Sequence, residues 1–232
     1  MKESEIGDEP NGCSECSTCK FAVCSSLDAS ELREFRRRTH FVACETVFYE
    51  QQISTSSFVV LDGVMRLYRL LPNGRRQIVS FALSGDLLGM NASDRHEFSA
   101  DAIGGVTVCQ MSNAAFRRLI DDNPRFLRRI SELAVRELHQ LRNHMVLLGR
   151  RSAEGKVATF LLDWRDRFTQ PNETSEMVPL PMSRLDIADY LGLTVETVSR
   201  TFTKLERDGV IDIIRGGVSL LAPERAEALA LV

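Results

Sequence analysis

The feature that most constrains the fold of this chain is a helical repeat of apolar side chains near its middle. From Pro124 onwards, apolar residues follow one another at steps of three and four positions. That spacing places them in one stripe along an α-helix, as in the seam of a coiled coil. The helix would run for about 25 residues, or about 37 Å at 1.5 Å per residue. The stripe consists of Leu127, Ile130, Ala134, Leu138, Leu141, Met145 and Leu148.

A helix of this kind needs a partner for its apolar stripe. The length of the seam and its many leucines favour pairing with the same helix of a second copy, and hence a homodimer. The alternative is that the helix packs only on its own domain. A second helix is predicted after Gly149, over Ala153–Phe168, and its apolar face is Val157, Phe160, Leu161 and Trp164.

The sequence before the long helix has the pattern of short strands. Gly63 marks a turn or a bulge inside one of them, and Pro72-Asn73-Gly74 marks the turn of a hairpin. Short strands with turns at regular spacing favour a β-barrel or a double-sheet roll. The predicted strands are Glu45–Glu50, Phe58–Leu71, Arg75–Leu83 and Gly104–Met111.

Two short helices joined by a glycine turn are predicted in the C-terminal part. Ser183 caps the first helix, which ends at Leu191, and Gly192 allows the positive φ of a tight turn. Thr194 caps the second helix, predicted over Val195–Asp208. Its buried side is predicted to be Val198, Phe202 and Leu205. Its exposed side is predicted to be Glu196, Thr197, Ser199, Arg200, Thr203 and Lys204.

The segments beside these two helices are predicted to be a loop and a hairpin. Thr169–Pro181 shows no periodicity, so it is predicted to be a loop. Ile211–Ile214 and Val218–Leu221, joined by Arg215-Gly216-Gly217, are predicted to form a small hairpin. Helix, glycine turn, helix and hairpin together have the layout of a winged helix-turn-helix.

The exposed side of the second helix carries groups that fit the edges of DNA bases. Glu196 can accept from the amino group of cytosine, and Arg200 can grip O6 and N7 of guanine. These two residues are four positions apart, so they project from one face of the helix. The alternative is a surface ion pair between them, with no DNA. The predicted DNA-binding residues are Ser183, Arg184, Thr194, Glu196, Thr197, Ser199, Arg200 and Lys204.

Overall charge gives no support for DNA binding, because the chain carries a net charge of −3. Of the four segments 1–26, 27–114, 115–150 and 151–232, only 115–150 holds more lysine and arginine than aspartate and glutamate. No apolar run approaches the ~20 residues of a membrane span, and the polar N-terminus is no secretory signal. We therefore expect a cytoplasmic protein with no membrane partner. No nucleophile–base motif or phosphate loop is present, so we expect no enzymatic activity.

The six cysteines are unevenly distributed, since four of them lie close together near the N-terminus. In a compartment that keeps thiols reduced, this clustering is typical of metal or cluster ligands rather than disulfides. From the spacing alone, a tetrathiolate zinc site and an iron–sulfur cluster are equally consistent. Cys44 is expected to be a buried core thiol. The clustered residues are Cys13, Cys16, Cys19 and Cys24.

The run IADYLGLTVETVSRTFTKLERDGVI resembles the DNA-reading block of the CRP/FNR superfamily, and Glu196, Ser199 and Arg200 resemble its FNR/FixK branch. The resemblance covers nearly the whole chain. It implies an α+β fold with an N-terminal cyclic-nucleotide-binding-like β-roll, a long dimerisation helix and a C-terminal winged helix-turn-helix. The implied segments are a cysteine-rich sensor segment (1–26), a β-roll sensor domain (27–120), a dimerisation helix (121–150) and a DNA-binding domain (151–232).

The resemblance also implies a function. The chain would be a homodimeric transcription regulator of microaerobic or anaerobic genes, by expectation an activator that contacts RNA polymerase. Glu196, Ser199 and Arg200 would read a TTGA-type half-site in double-stranded DNA. A two-fold dimer would then read a palindrome such as TTGAT-N4-ATCAA, as its symmetry also predicts.

For the cofactor, the resemblance implies an oxygen-labile 4Fe–4S cluster. Its ligands would be Cys13, Cys16, Cys24 and Cys109, with Cys19 as a possible substitute. Two alternatives stay open. One is a FixK-like regulator without a cluster, controlled by its abundance or by thiol oxidation. The other is a zinc-binding or small-molecule-binding module whose winged helix mediates only protein contacts.

Cyclic AMP is not expected as a ligand. The CRP branch of the superfamily binds cAMP through G-E-x-x-G-E followed by R-S/T-A. In this chain Met90 stands for the second glutamate of that motif, and Phe98 stands for the arginine that binds the phosphate. Losing one charge-assisted contact costs about 1.5–3 kcal/mol of binding free energy.

Overall fold

The computed structural model describes residues 27, 37–90, 93–149, 152–168 and 176–231. The chain forms two compact units. The first unit is Met1–Leu71 with Val79–Arg136, and the second is Pro72–Ile78 with Glu137–Val232. The division falls inside the long helix, so that helix contributes residues to both units. The predicted ligands Cys13, Cys16, Cys19 and Cys24 lie outside the described residues.

The first unit is built on a six-stranded sheet. Its strand order is β1-β6-β3-β4, with β2 paired to β6 and β5 paired to β3. The two longest strands, β3 and β6, pair antiparallel from Ser56 opposite Ser112 to Tyr68 opposite Ser99. The strands are β1 (Arg37–Phe41), β2 (Thr46–Phe48), β3 (Ser56–Leu70), β4 (Arg76–Ala82), β5 (Leu87–Leu88) and β6 (Ser99–Ser112).

Gly63 forms a bulge inside β3 rather than a turn between two strands. The register of β3 against β6 shifts on both sides of Asp62, and Gly63 has a φ of +89°. A Cβ at this position would collide with the carbonyl oxygen of Gly105. Only glycine fits such a place, so the sequence signal for a bulge is confirmed.

Strand β3 is buried on both faces because its alternate side chains belong to two different cores. Phe58 and Val60 lie in one core, whereas Val59 and Leu61 lie in the other. The second core is covered by helix α1 (Asn113–Asp122) and by the start of helix α2 (Pro124–Gly149). Helix α1 was not predicted. It begins where the Ser112 side chain accepts a hydrogen bond from the backbone N–H of Ala115.

Helix α2 has 26 residues, as its apolar period predicts. Ile130 is an exception within the predicted seam, because it is 7% exposed and packs beside Phe126 in the core of the first unit. The apolar period identified the helix, but it could not separate the residues that pack in the core of the first unit from those that stay exposed. The seam residues that remain exposed are Leu127, Ala134, Leu138, Leu141, Met145 and Leu148.

The second unit combines helices with a three-stranded sheet of order β7-β9-β8. Helix α3 (Ala153–Phe168) buries the predicted face, and Trp164 Nε1 donates to the carbonyl of Pro179 at 2.7 Å. The remaining elements are β7 (Met177–Pro179), α4 (Arg184–Leu191), α5 (Val195–Arg207), β8 (Ile211–Ile214), β9 (Gly217–Leu220) and α6 (Pro223–Ala230). Among the described helices, none is long and apolar enough to cross a membrane.

Two predictions in these regions were wrong. The predicted loop Thr169–Pro181 contains strand β7, which forms because it pairs with β9, a partner that local periodicity does not reveal. Cys44 is exposed rather than buried, and its φ of 66° places it in the turn between β1 and β2. Its hydrophobic neighbours in sequence are themselves exposed, so they supply no core there.

Candidate nucleic-acid interface

Helices α4 and α5 are capped as the sequence predicts. The Ser183 hydroxyl accepts from the backbone N–H of Asp186 at 3.1 Å, and the Ser183 backbone N–H donates to the Asp186 carboxylate at 3.0 Å. This reciprocal pair is a capping box. Gly192 has a φ of 63° at the end of α4, and Thr194 accepts from the backbone N–H of Thr197 at the start of α5.

Helix α4 is also held by buried polar contacts from residues far away in sequence. The Asp186 side chain is only 4% exposed, and Arg76 donates to its second carboxylate oxygen at 2.6 Å. Lys156, itself buried, donates to the carbonyl of Leu191 at 3.3 Å. Arg76 thus pairs with the buried carboxylate of Asp186, and Lys156 with the carbonyl of Leu191. A buried polar group left without such a partner would lower the stability of the fold. These contacts were not predicted, because nothing near Asp186 in the sequence indicates them.

A stacked aromatic pair joins the second half of α2 to α4. The ring of His144 lies 4.1 Å from that of Tyr190. Burial lowers the pKa of His144, and the positive charge of Lys156 lowers it further. Burial raises the pKa of Tyr190 to about 12. Both side chains are therefore neutral near pH 7, and the contact is an apolar one.

The buried side of α5 is the predicted one. Val198, Phe202 and Leu205 are at most 1% exposed. Thr201 is buried with them, and its hydroxyl donates to the carbonyl of Thr197 at 2.8 Å. This packing fixes the rotation of α5, so the opposite side of the helix faces outward.

The outward side presents Glu196, Ser199, Arg200 and Thr203, all exposed. Within the described part of the chain, Glu196 and Arg200 form no ion pair, so the alternative of a surface salt bridge is not realised. Hydrogen bonding from its own backbone N–H and then from the Thr194 hydroxyl lowers the pKa of Glu196, and the charge of Arg200 adds to this. Glu196 is thus ionised, and it can act as an acceptor.

Several other predicted DNA-binding residues make contacts with other groups of the protein. The guanidinium of Arg184 lies 3.3 Å above the centre of the Phe202 ring, and burial lowers its pKa. Lys204 forms an ion pair with Glu154 of α3. The hydroxyl groups of Ser183 and Thr194 serve as helix caps. The structure therefore leaves Glu196, Ser199 and Arg200 together on the open face.

The hairpin beside α5 has the predicted form of a wing. β8 and β9 pair antiparallel, from Ile211 opposite Leu220 to Ile214 opposite Gly217, and Arg215 is exposed at the turn. Arg225 of α6 donates to the carbonyl of Asp208 at 2.7 Å, at the C-terminal end of α5, where a positive charge is favourable. Helix α6 was not predicted, although Pro223 at its first position was an available signal.

Cys109, the predicted ligand from the β-roll, lies on β6 and is fully buried. Its surroundings are the apolar core formed by β3, α1 and α2. Leu27, three positions after Cys24, packs against the same core. Among the described residues, no group of three or more His, Cys, Asp or Glu side chains could hold a metal ion.

In the stretch compared with the cAMP motif, an aromatic side chain, Phe98, stands where that motif has its phosphate-binding arginine. Phe98 is half-buried, and the guanidinium of Arg69 lies 4.8 Å from the centre of its ring. Arg69 is also paired with Glu50 at 3.2 Å. The guanidinium group beside this ring is thus already paired with a carboxylate.

Comparison with known proteins agrees with both units. Residues 38–123 match the family model "Cyclic nucleotide-binding domain", and residues 180–211 match "Bacterial regulatory proteins, crp family". The nitrogen fixation regulation protein FixK of Bradyrhizobium diazoefficiens is 66% identical over 99% of each chain. The transcriptional activatory protein AadR of Rhodopseudomonas palustris is 49% identical over 93% of this chain and 91% of its own.

A solved structure gives the same result for the fold. FixK2 from Bradyrhizobium japonicum superposes with a TM-score of 0.77 at 33% identity, over 83% of this chain and 96% of that one. A cyclic-nucleotide-binding β-roll with a C-terminal helix-turn-helix defines a DNA-binding transcription regulator, not an enzyme, and the predicted fold class is confirmed. The chain belongs to the CRP/FNR family of bacterial regulators, in its FixK branch.

Proposed function

We propose that this regulator acts as a homodimer in the cytoplasm and reads a TTGA-type palindrome with Glu196, Ser199 and Arg200. It would act as an activator of genes used at low oxygen, in contact with RNA polymerase. The observation that carries the proposal is the state of Arg200, which is exposed and makes no ion pair or hydrogen bond with any described residue. The Arg200 guanidinium can therefore form hydrogen bonds with a guanine base.

The position of these residues along α5 supports base reading. In a helix-turn-helix, the N-terminal residues of the second helix contact base edges in the major groove. Glu196 and Arg200 lie in the first two turns of α5 and four positions apart, so they can reach neighbouring base pairs together. A carboxylate suits the cytosine amino group, and a guanidinium suits guanine.

Replacing Arg200 tests this reading. We expect Arg200→Ala to weaken binding to a TTGAT-N4-ATCAA duplex by about 1–3 kcal/mol, and to weaken binding to a random duplex much less. The measurement is fluorescence anisotropy at fixed salt. Arg207→Ala is the matched control, because Arg207 is an exposed arginine of the same helix in its last turn. Equal losses on both duplexes would contradict base-specific contact.

Dimerisation is supported by the exposed part of the α2 seam. Leu138, Leu141 and Met145 are 47%, 43% and 71% exposed, although they are large and apolar. They follow the spacing of a coiled coil, and a second copy of the same helix would cover them. Two-fold symmetry would then explain a palindromic site.

We further propose that four cysteine thiolates, three of them from residues 13–24 and the fourth from Cys109, hold a 4Fe–4S cluster. Such a cluster supplies sensitivity to oxygen when bound. The position of Leu27 supports the ligand set, since it packs on the core that contains Cys109. We expect no binding of cAMP, because Phe98 stands where the cAMP motif has its phosphate-binding arginine.

Iron and sulfide analysis of anaerobically purified protein tests the cluster. We expect a brown protein whose visible absorbance is lost in air, and we expect Cys109→Ser to lower the bound iron sharply. Cys44→Ser is the matched control, since Cys44 is exposed in the turn between β1 and β2, whereas Cys109 is buried on β6. A colourless protein that binds DNA equally in air and under nitrogen would instead favour a FixK-like regulator without a cluster. Unchanged iron in Cys109→Ser would place all ligands within residues 13–24.

A further inference from the structure

Lys204 is a cation on the DNA-reading helix whose charge is already paired with a carboxylate of the same chain. Its ammonium group lies 2.5 Å from a carboxylate oxygen of Glu154, which belongs to the first turn of α3. Arg200, one turn earlier on α5, is left open by contrast. Lys204 and Arg200 therefore differ in what they can offer to DNA.

The ion pair contributes little to stability. The Lys204 side chain is 44% exposed and the Glu154 side chain 31% exposed, so water screens their attraction. Exposed pairs of this kind add little to the free energy of unfolding, because ordering two long side chains offsets most of the Coulomb energy. The main consequence of the pair is then electrostatic, at the surface that would face DNA.

The position of Lys204 indicates what it would contact if it were released. It lies four residues after Arg200, so it projects from a similar side of α5, about 6 Å further from the N-terminus. The N-terminal residues of such a helix reach the bases, whereas later residues run out towards the sugar–phosphate backbone. The natural partner of a lysine there is a phosphate, which is recognised without regard to sequence.

We propose that Glu154 sets the overall affinity of this regulator for DNA by holding the Lys204 ammonium group away from the phosphate backbone. The inference rests on the proposed role of α5 in reading DNA. Glu154 acts through Lys204 and touches no base, so it is a positioning residue. A net-negative chain that binds DNA through a few placed groups gains from this arrangement, because weak binding to random DNA leaves more protein free to find its site.

The variant Glu154→Gln removes the carboxylate charge and keeps the shape of the side chain. We expect it to tighten binding to a random duplex by about threefold to tenfold near 0.1 M salt, and to make the slope of log affinity against log salt steeper by about 0.9, as one added phosphate contact requires. The measurement is anisotropy over a salt series, with the sole tryptophan, Trp164, reporting that the second unit stays folded.

Two further variants decide between this inference and a general charge effect. Glu224→Gln changes the net charge equally, and Glu224 is an exposed carboxylate on α6. The double variant Glu154→Gln/Lys204→Gln should lose the gain in affinity and in salt slope. If Glu154→Gln behaves like Glu224→Gln, or if the gain survives without Lys204, the inference is overturned.

The result is separable from the test of base reading. Arg200→Ala is measured beside these variants on the palindrome and on the random duplex. An effect of Glu154→Gln without any effect of Arg200→Ala would contradict base recognition and leave the phosphate role of Lys204 standing. The reverse pattern would leave base recognition standing and remove the role proposed for Glu154.

Discussion

At the scale of single residues, His144 shows how the burial of one histidine makes the stability of the fold depend on pH. Its ring is stacked on Tyr190, and protonation would bring a positive charge towards Lys156 in a place with little water. The folded pKa therefore lies below the unfolded value of about 6.5. The neutral ring contributes stability that is fully present above the unfolded pKa and is lost as the pH falls through the folded pKa.

We expect this residue to make the second unit less stable in mild acid. Between about pH 7.5 and about pH 5, the free energy of unfolding should fall more for the unaltered protein than for His144→Phe, which keeps an aromatic ring that cannot be protonated. Denaturant titrations followed by Trp164 fluorescence measure this, since that side chain is buried in the same unit. The control is His139→Gln, at an exposed position on the same helix, whose free energy of unfolding should change with pH as in the unaltered protein. If His144→Phe shows that same change, His144 is not the cause of the acid sensitivity.

At the scale of elements, the three-stranded sheet of the second unit depends on one glycine, which allows β7 and β9 to approach closely. Gly217 begins β9 opposite Pro179 of β7, and a Cβ there would overlap the carbonyl oxygen of Val178. Trp164 holds β7 in place by donating a hydrogen bond to the carbonyl of Pro179. We expect Gly217→Ala to lower the free energy of unfolding by about 1–3 kcal/mol, as overpacking does.

The control for the wing is Gly149→Ala, because a Cβ at Gly149, the last residue of α2, meets nothing within 4 Å. Unfolding followed by Trp164 fluorescence reports both variants. A loss of stability in Gly149→Ala equal to that in Gly217→Ala would mean that strand spacing is not the cause. Intact stability in Gly217→Ala would mean that β7 can move away from β9.

The elements that could be predicted from the sequence are those specified by neighbouring residues. The capping box of Ser183 and Asp186, the glycine turn and the period of α5 are all local, so both helices were predicted almost to the residue. Strand β7 and the contact of Arg76 with Asp186 depend on partners distant in sequence, and nothing local indicates them. The period of α2 likewise could not tell that Ile130 packs within its own unit.

At the scale of the whole molecule, a net charge of −3 is compatible with DNA binding because the structure controls which cations are available. Arg184 is stacked on Phe202, and Lys204 is paired with Glu154, whereas Arg200 remains open. Sequence alone shows these three as equivalent basic residues of one motif. Their different surroundings make Arg200 a candidate for base reading, whereas Arg184 and Lys204 are engaged with other side chains of the protein.

The same scale includes assembly, where the exposed seam of α2 predicts a dimer that can be broken by one charge. We expect Met145→Glu to shift the protein towards monomer in sedimentation velocity, because a carboxylate in the seam would lose its water on pairing. Affinity for the palindrome should fall together with dimerisation, since a monomer can occupy only one half-site. Gln140→Glu introduces the same charge at an exposed position outside the seam, and it should leave both measurements unchanged. A dimer that persists in Met145→Glu with full affinity would show that the two copies meet elsewhere.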